Sequence, residues 1–376
     1  MKKRIGIITM HRLYNYGSAL QAYALQRVIE EMGVEAEIID YNYPNSFQYE
    51  RGICPPTNNW RTKVIRLMWK IHPHNRVRYK FHDFWNKHFT LSNYFPDFIT
   101  IHNNSLSYAL CVTGSDQVWN PQFTKGDTTF LLDFIDRNIP KISYASSFST
   151  TNLDNAYRPL YAKLLDQYKA ISVREKGGVE IVKELTGKNA AITVDPTLLL
   201  SASEWIRLAE EHKCPKNNGG KYLLLYVLSY AFNPSPYIYD FAFSVSKRLD
   251  LPIVAIGGKD PSVKRSSLIH WINDAGPIEF IKLFANSTVV VTSSFHGTAF
   301  ATNFRKKVFT VIKSNSTDDR ISSFLNSIGL DKAIVPMGTP FEEVLMDEDT
   351  TIAQQLLEKR KDESMKYLRN AIIDNL

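Results

Sequence analysis

The sequence is short of cysteine: three in 376 residues, Cys54, Cys111 and Cys214, far apart and odd in number. That supports neither a disulfide framework nor a zinc site. Long apolar runs are missing too. No stretch approaches the roughly 18 uninterrupted apolar residues of a spanning helix. Met1-Lys2-Lys3-Arg4 leads into only a brief apolar run ending at Thr9, too short and without the cleavage pattern of a secretory signal. A cytoplasmic protein is expected. There is no Gly-x-Gly-x-x-Gly turn, Walker loop or Gly-x-Ser-x-Gly elbow. His72 and His74 flank a proline and read as loop, so no metal site is expected. Short repeats, low-complexity tracts and flexible linkers are absent as well. What remains is a globular composition, 44% hydrophobic and 22% charged, long enough for two domains.

The formal net charge of +7 points to an anionic substrate, nucleic acid or membrane surface. The excess is local. Between Trp60 and Phe89 stand eight Lys or Arg residues (Arg61, Lys63, Arg66, Lys70, Arg76, Arg78, Lys80, Lys87) and one acid, Asp83. Helical spacing puts Trp60, Val64, Leu67, Met68 and Ile71 on one face and Arg61, Lys63, Arg66 and Lys70 on the other. The plainer reading is a packed helix with a solvated cationic face. The sharper one is a surface, within residues 60–87, that meets anionic lipid or a lipid-linked acceptor. That reading adds the inner face of the membrane to the expected location. No nucleic-acid reading motif accompanies the charge, and no nucleic-acid partner is expected.

Arg4 to Thr9 reads as a strand, His11 to Gly17 as a polar loop, about Ser18 to Met32 as a helix and Ala36 to Asp40 as a strand. Strand, helix, strand is a βαβ unit and predicts a parallel sheet. After a less regular insertion at about 42–107, strands follow near 109–113, 141–145, 170–173 and 191–194. A second set begins beyond the turn at 217–220, with strands at 222–228, 252–256, 288–292 and 308–312 and helices at 237–249, 277–286 and 319–328. The expected architecture is α/β, two Rossmann-like domains facing a cleft. The first covers 1–200 and the second 201–349. A polar helix at 350–376 is expected to pack back on the first.

Candidate site residues stand where strands end, because open α/β sheets bind ligands at that edge. The segment Ser293-Ser294-Phe295-His296-Gly297 follows a β-branched strand. Its hydroxyls and turn amides suit a phosphate, and His296 suits a general acid. His11, Asn15 and Tyr16 fill the first loop, where a sugar or phosphate fits. Asp116 ends the third strand as a candidate base, followed by Gln117, Trp119 and Asn120. Trp119 is a ring of the kind that stacks on pyranoses, although an Asp cap and a packing Trp explain the same residues. Arg174 would protrude into the cleft to hold a carboxylate or phosphate, unless it simply pairs with Glu175 at the surface. Arg320 opens a helix, where a structural Arg gains nothing from the dipole, so it is read as anion-binding.

These segments together resemble the polysaccharide pyruvyl transferase family. The likeness runs through Gly6-Ile7-Ile8-Thr9, Asn15-Tyr16-Gly17, Leu20 to Gln26, Gly114-Ser115-Asp116-Gln117-Val118-Trp119-Asn120 and Ser143-Tyr144-Ala145. It continues through Ser172-Val173-Arg174-Glu175, Asp195-Pro196-Thr197-Leu198-Leu199 and Ser293 to Gly297. The resemblance implies a fold similar to GT-B glycosyltransferases. The implied reaction is pyruvyl transfer from phosphoenolpyruvate to a sugar of a surface polysaccharide, such as capsule or exopolysaccharide, or of its lipid-linked precursor, forming a ketal. Phosphoenolpyruvate is then a co-substrate, with no further cofactor. The implied roles are His296 as acid, Asp116 as the acidic site residue and Arg174 as an anion-binding residue. Many members carry an Arg two residues before the His; here that position is Ser294, and Arg320 is the expected substitute. Two rivals remain: a nucleotide-sugar glycosyltransferase or epimerase of GT-B-like fold, and a non-catalytic partner in polysaccharide assembly.

Overall fold

The computed structural model describes residues 4–42, 60–72, 75–211, 220–258, 260, 263, 265–344 and 350–376. Cys54, Cys214, His74 and most of the turn at 217–220 lie outside them, as do the side chains of Trp60, Arg61, Lys63 and Arg66. The first half contains β1 (Arg4–Ile8), α1 (Tyr16–Glu31), β2 (Glu35–Ile38), α2 (Trp60–Ile71), α3 (Arg76–His88) and α4 (Phe98–His102). It continues with β3 (Leu110–Asp116), α5 (Pro121–Thr124), β4 (Lys141–Ser146), α6 (Arg158–Leu165), β5 (Ser172–Val173), α7 (Lys176–Thr186) and β6 (Ala191–Ile192). After α8 (Pro196–Leu199) and α9 (Ala202–Glu210), the second half runs β7 (Leu223–Tyr226), α10 (Tyr237–Leu249), β8 (Ile253–Ile256) and β9 (Ile269–Ile272). It ends with α11 (Pro277–Asn286), β10 (Val289–Thr292), α12 (Phe295–Asn303), β11 (Lys307–Ile312), α13 (Arg320–Ser327), β12 (Ile334–Pro336) and α14 (Thr351–Ile373).

Two six-stranded parallel sheets result, ordered β2-β1-β3-β4-β5-β6 and β12-β11-β10-β7-β8-β9. Their central strands are buried on both faces, which is why Val289-Val290-Val291 reads as a continuous β-branched run rather than an alternation. Each order reverses once, between β1 and β3 in the first sheet and between β7 and β10 in the second. Crevices open at such reversals, beyond the carboxyl ends of the strands. The two reversals supply the residues of the site described below.

Local chemistry sets the element ends. Asn15 caps α1 by accepting from the Ser18 amide (3.3 Å), so the helix begins at Tyr16 rather than Ser18. Ser201 and Glu204 form a capping box at α9. α12 begins at Phe295 with Ser294 as its cap, which puts His296 in the first helical turn rather than on a loop.

The halves touch directly. Tyr16 stacks on Phe280 with ring centroids 4.7 Å apart and donates to the Ala275 carbonyl (2.9 Å). The α3 residue Lys80 reaches Glu279 (2.8 Å). The segment leading into α13 also closes on the first half. Thr151 N donates to the Thr317 carbonyl (3.1 Å). Two amides at the start of α7 are satisfied from across the cleft, Gly177 N by Asp319 (3.0 Å) and Lys176 N by Ser323 (3.0 Å). α14 returns to the first sheet: Tyr367 donates to the Ser143 carbonyl and Ser364 accepts from the Val194 amide, both at 3.0 Å.

Candidate active site

The candidate site centres on His296, Asp195, Arg174 and Asp116, all buried. Asp195 follows β6 and uses its two oxygens differently. Oδ1 caps α8 through the Thr197 amide (3.0 Å) and hydroxyl (2.8 Å). Oδ2 accepts from Arg174 Nη1 (2.7 Å) and Ser115 Oγ (3.1 Å) and lies 3.4 Å from His296 Nε2. Burial alone would raise the Asp195 pKa. The neighbouring His296 ring and the Arg174 guanidinium outweigh burial and hold the carboxyl well below the usual range. Asp195 is therefore a fixed anion between the Arg174 guanidinium and the His296 ring.

Arg174 does not protrude as a surface residue, nor does it pair with Glu175 in the way the sequence suggests. Its side chain is 1% exposed, and its Nη2 is 3.8 Å from Asp116. Its guanidinium carbon lies 4.3 Å from the centre of the Phe295 ring. Nε and Nη2 have no hydrogen-bond partner. An unsatisfied buried donor costs about 1–3 kcal/mol, more when charged, which makes these two nitrogens candidate donors to a ligand. His296 Nε2 is likewise without a hydrogen-bonded partner at normal distance.

Glu175 faces inward instead and is fully buried. Its Oε1 accepts from Ser147 Oγ (3.0 Å), Phe148 N (2.8 Å) and Ser149 N (3.2 Å). Burial pushes its pKa up to about 7, against the lowering pull of Arg174 and Arg320. The carboxyl holds the loop after β4 in shape; Ser149 in that loop has φ +54° and lines a cavity.

Asp116 ends β3 with φ +74°, a conformation uncommon for a residue with a side chain. Its carboxylate accepts from Ser18 Oγ (2.6 Å) and from the Gln117 amide (2.9 Å). Gly17, beside Ser18, meets the His296 ring so closely that a β-carbon there would lie 2.1 Å from Nδ1. Only glycine lets the first βα turn approach the histidine of the other half.

Beside this group is a cavity of about 420 Å³, a size suited to a small ligand. Its lining includes Gln117, Asn120, Tyr230, Phe295, Lys313 and Arg320, from both halves. Phe295 lines it while also lying on Arg174, so the guanidinium is directly behind that wall. Gln117 donates to Tyr230 (3.3 Å) across the cleft and accepts from Asn120 (3.0 Å).

Other expected site residues have structural duties. Trp119 is fully buried, donates to the Phe130 carbonyl (3.1 Å) and packs on Phe148, so no ring face is left for a sugar. His11 is buried against Asp40 (3.1 Å). Tyr16 belongs to the inter-domain contact, and Asn15 to the α1 cap. Ser293 exchanges hydrogen bonds with the Leu228 backbone (both 2.9 Å), and Ser294 accepts from the Gly297 amide (3.2 Å). A β-carbon on Gly297 would lie 2.5 Å from Thr292 Oγ1, so this glycine serves helix-to-strand packing. Arg320 lines the cavity but forks onto Asp318 (Nε to Oδ1 2.8 Å). Its charge is already matched, and an anion there competes with Asp318.

A model of the polysaccharide pyruvyl transferase family matches residues 15–315. The chain belongs to that family. No curated protein sequence matches significantly. Among solved structures, the chain is similar to a Neisseria meningitidis UDP-GlcNAc 2-epimerase bound to UDP-GlcNAc, at 11% identity and TM-score 0.52, with 100% of each chain covered. It is also similar to S. aureus MnaA in a co-structure with UDP, at 12% identity and TM-score 0.54, covering 100% of this chain and 98% of that one. These likenesses establish the GT-B-like fold of this family member.

Asp195 is the main residue of this cluster that reasoning from sequence missed. The sequence assigns Asp195 no individual role within Asp195-Pro196-Thr197, and in the structure Oδ1 caps α8. The role of Oδ2 depends on Arg174 and His296, which are distant in sequence. Ser18 was hidden in the same way, as an ordinary helix-start residue. Among the described residues, no group of three His, Cys, Asp or Glu side chains is disposed to hold a metal ion.

Proposed function

We propose that the chain transfers the pyruvyl group of phosphoenolpyruvate to two hydroxyls of a sugar unit, forming a ketal and releasing phosphate. The observation that carries this reading is Arg174, a buried guanidinium with two unpartnered nitrogens next to His296. Such a pair suits a small dianion or trianion whose carbon must be protonated.

His296 donates a proton to the methylene carbon, and the adjoining carbon gains oxocarbenium character. Arg174 holds the anionic groups. The first sugar hydroxyl attacks that carbon and gives up its proton, with Asp116 as the base; this proton restores His296. Phosphate then leaves as the C–O bond to it breaks. The second hydroxyl closes the ketal, and its proton departs with phosphate. Asp195 is a positioning residue: it fixes the Arg174 guanidinium and sets the orientation of the His296 ring. Ser18 and the Gln117 amide orient the Asp116 carboxylate. The acceptor is assigned to the cavity beside Gln117 and Asn120.

The test is phosphate release from phosphoenolpyruvate with a panel of nucleotide-linked and lipid-linked sugars, and mass spectrometry of the product for a pyruvate ketal. Acceptor-dependent release that disappears in His296→Ala is expected. Turnover of a UDP-sugar without phosphoenolpyruvate would overturn the proposal in favour of the epimerase or glycosyltransferase reading.

A further inference from the structure

α2 presents its apolar stripe to solvent. Val64, Leu67, Met68 and Ile71, at i, i+3, i+4 and i+7, are 46%, 58%, 62% and 69% exposed, and Ile65 beside them is 41% exposed. Five of the twelve exposed large apolar side chains among the described residues are thus on one twelve-residue helix. The side that packs is the one carrying Trp69, whose ring lies 5.3 Å from His82 and 5.9 Å from the Arg78 guanidinium. The expectation of a packed apolar face is therefore not met at Val64, Leu67, Met68 and Ile71, while Lys70 is exposed as expected.

We propose that this face of α2 docks on a bilayer containing anionic lipid. Two arguments select that occupant. The first is charge. The sequence of α2 carries Arg61, Lys63, Arg66 and Lys70 and no acid, and an apolar stripe interleaved with cations in sequence matches the boundary between lipid headgroups and acyl chains. The second is area. A twelve-residue helix is about 18 Å long and 10–12 Å wide, far below the ~800 Å² per partner of a standard protein interface.

Position gives the docking a use. Arg78 bridges Trp69 and Tyr14, with its guanidinium carbon 5.7 Å from the Tyr14 ring centre. Tyr14 also bonds His82 (2.9 Å) and stands three residues before Gly17, which touches His296. A bilayer under α2 would therefore lie close to the first βα loop and the cleft, where an acceptor carried on lipid could enter.

The experiment is co-sedimentation of the full chain with vesicles of phosphatidylglycerol and phosphatidylcholine, compared with phosphatidylcholine alone. No phosphoenolpyruvate is present, so the result does not depend on the proposed reaction. Binding should require phosphatidylglycerol and weaken with salt. It should fall about fivefold for each of Arg61, Lys63, Arg66 and Lys70 changed to Gln, the equivalent of ~1 kcal/mol per charge. Leu67→Ser/Met68→Ser/Ile71→Ser should reduce it at least tenfold with an unchanged melting temperature. No binding by the wild type at low salt would overturn the proposal. So would unchanged binding of the triple variant, or a wild-type dimer that the triple variant converts to monomer.

Discussion

Gly17→Ala adds one methyl group between the two halves of the site. The new carbon would lie 2.1 Å from His296 Nδ1 and 2.2 Å from Cγ, whereas ordinary contact begins near 3.4 Å. The ring, or the turn carrying residue 17, must shift by about 1 Å, and a misplacement of that size costs on the order of 10²-fold in rate. Fold stability should change little. Overpacking costs about 1–3 kcal/mol, while alanine regains up to about 1 kcal/mol of helix propensity in α1. The predicted outcome is a kcat roughly 10²-fold down with a small change in melting temperature, followed by phosphate release and thermal denaturation. Gly17→Ala combined with His296→Ala completes a double-mutant cycle. If Gly17 acts through the ring, the double variant should be no slower than His296→Ala alone. A Gly17→Ala enzyme within a few-fold of wild type, or a double variant slower by the full Gly17 factor, would refute the reasoning.

Four more outcomes are expected. His296→Ala should lose about 10²-fold or more in kcat, as for a general acid, with little change in melting temperature. Arg174→Ala should weaken phosphoenolpyruvate binding by roughly 1.5–3 kcal/mol in calorimetry, and Arg320→Ala by less, because Asp318 already pairs with Arg320; equal affinity in wild type and Arg174→Ala would reject the assignment. Asp195→Asn breaks a buried ion pair and should cost about 3 kcal/mol in denaturant unfolding. Because the Asp195 pKa is depressed, its contribution is present above the unfolded value near pH 4 and is lost as pH falls below it. The difference between wild type and Asp195→Asn should therefore shrink in acid. Glu175 has the opposite sign: with a folded pKa raised to about 7 from the ordinary value of 4.5, the folded state takes up its proton first, so stability falls as pH rises through that window. Glu175→Gln should flatten that slope between about pH 4.5 and 7, and an unchanged slope would show that Glu175 does not titrate there.

Much of the fold was legible because periodicity and turn chemistry are local. The helices at 237–249 and 277–286 fall where their apolar spacing puts them, and the β-branched run before Thr292 is the strand it reads as. Short edge elements were not legible: Ile269–Ile272 and Ile334–Pro336 become strands only by pairing with β8 and β11. The site was half legible. His296, Asp116 and Arg174 stand at strand ends, a position sequence can reveal. Whether such a side chain turns inward depends on what the rest of the chain brings to it. Trp119, next to a site strand, turns into the core because Phe130, Phe148 and Tyr168 enclose it. Glu175 turns inward because the Ser147–Ser149 backbone needs an acceptor.

The start of α7 gives the cleft a mechanical property. Its Lys176 and Gly177 amides are satisfied by Ser323 and Asp319 of the opposite half, and Glu175, at the cap position, supplies no side-chain cap of its own. Spreading the halves apart therefore uncaps a helix, at about 0.5–2 kcal/mol for a lost cap, unless water replaces both acceptors. Wherever the cleft opens to admit an acceptor, the first turn of α7 should fray with it. Amide hydrogen exchange at Lys176 and Gly177 would then report each opening of the cleft.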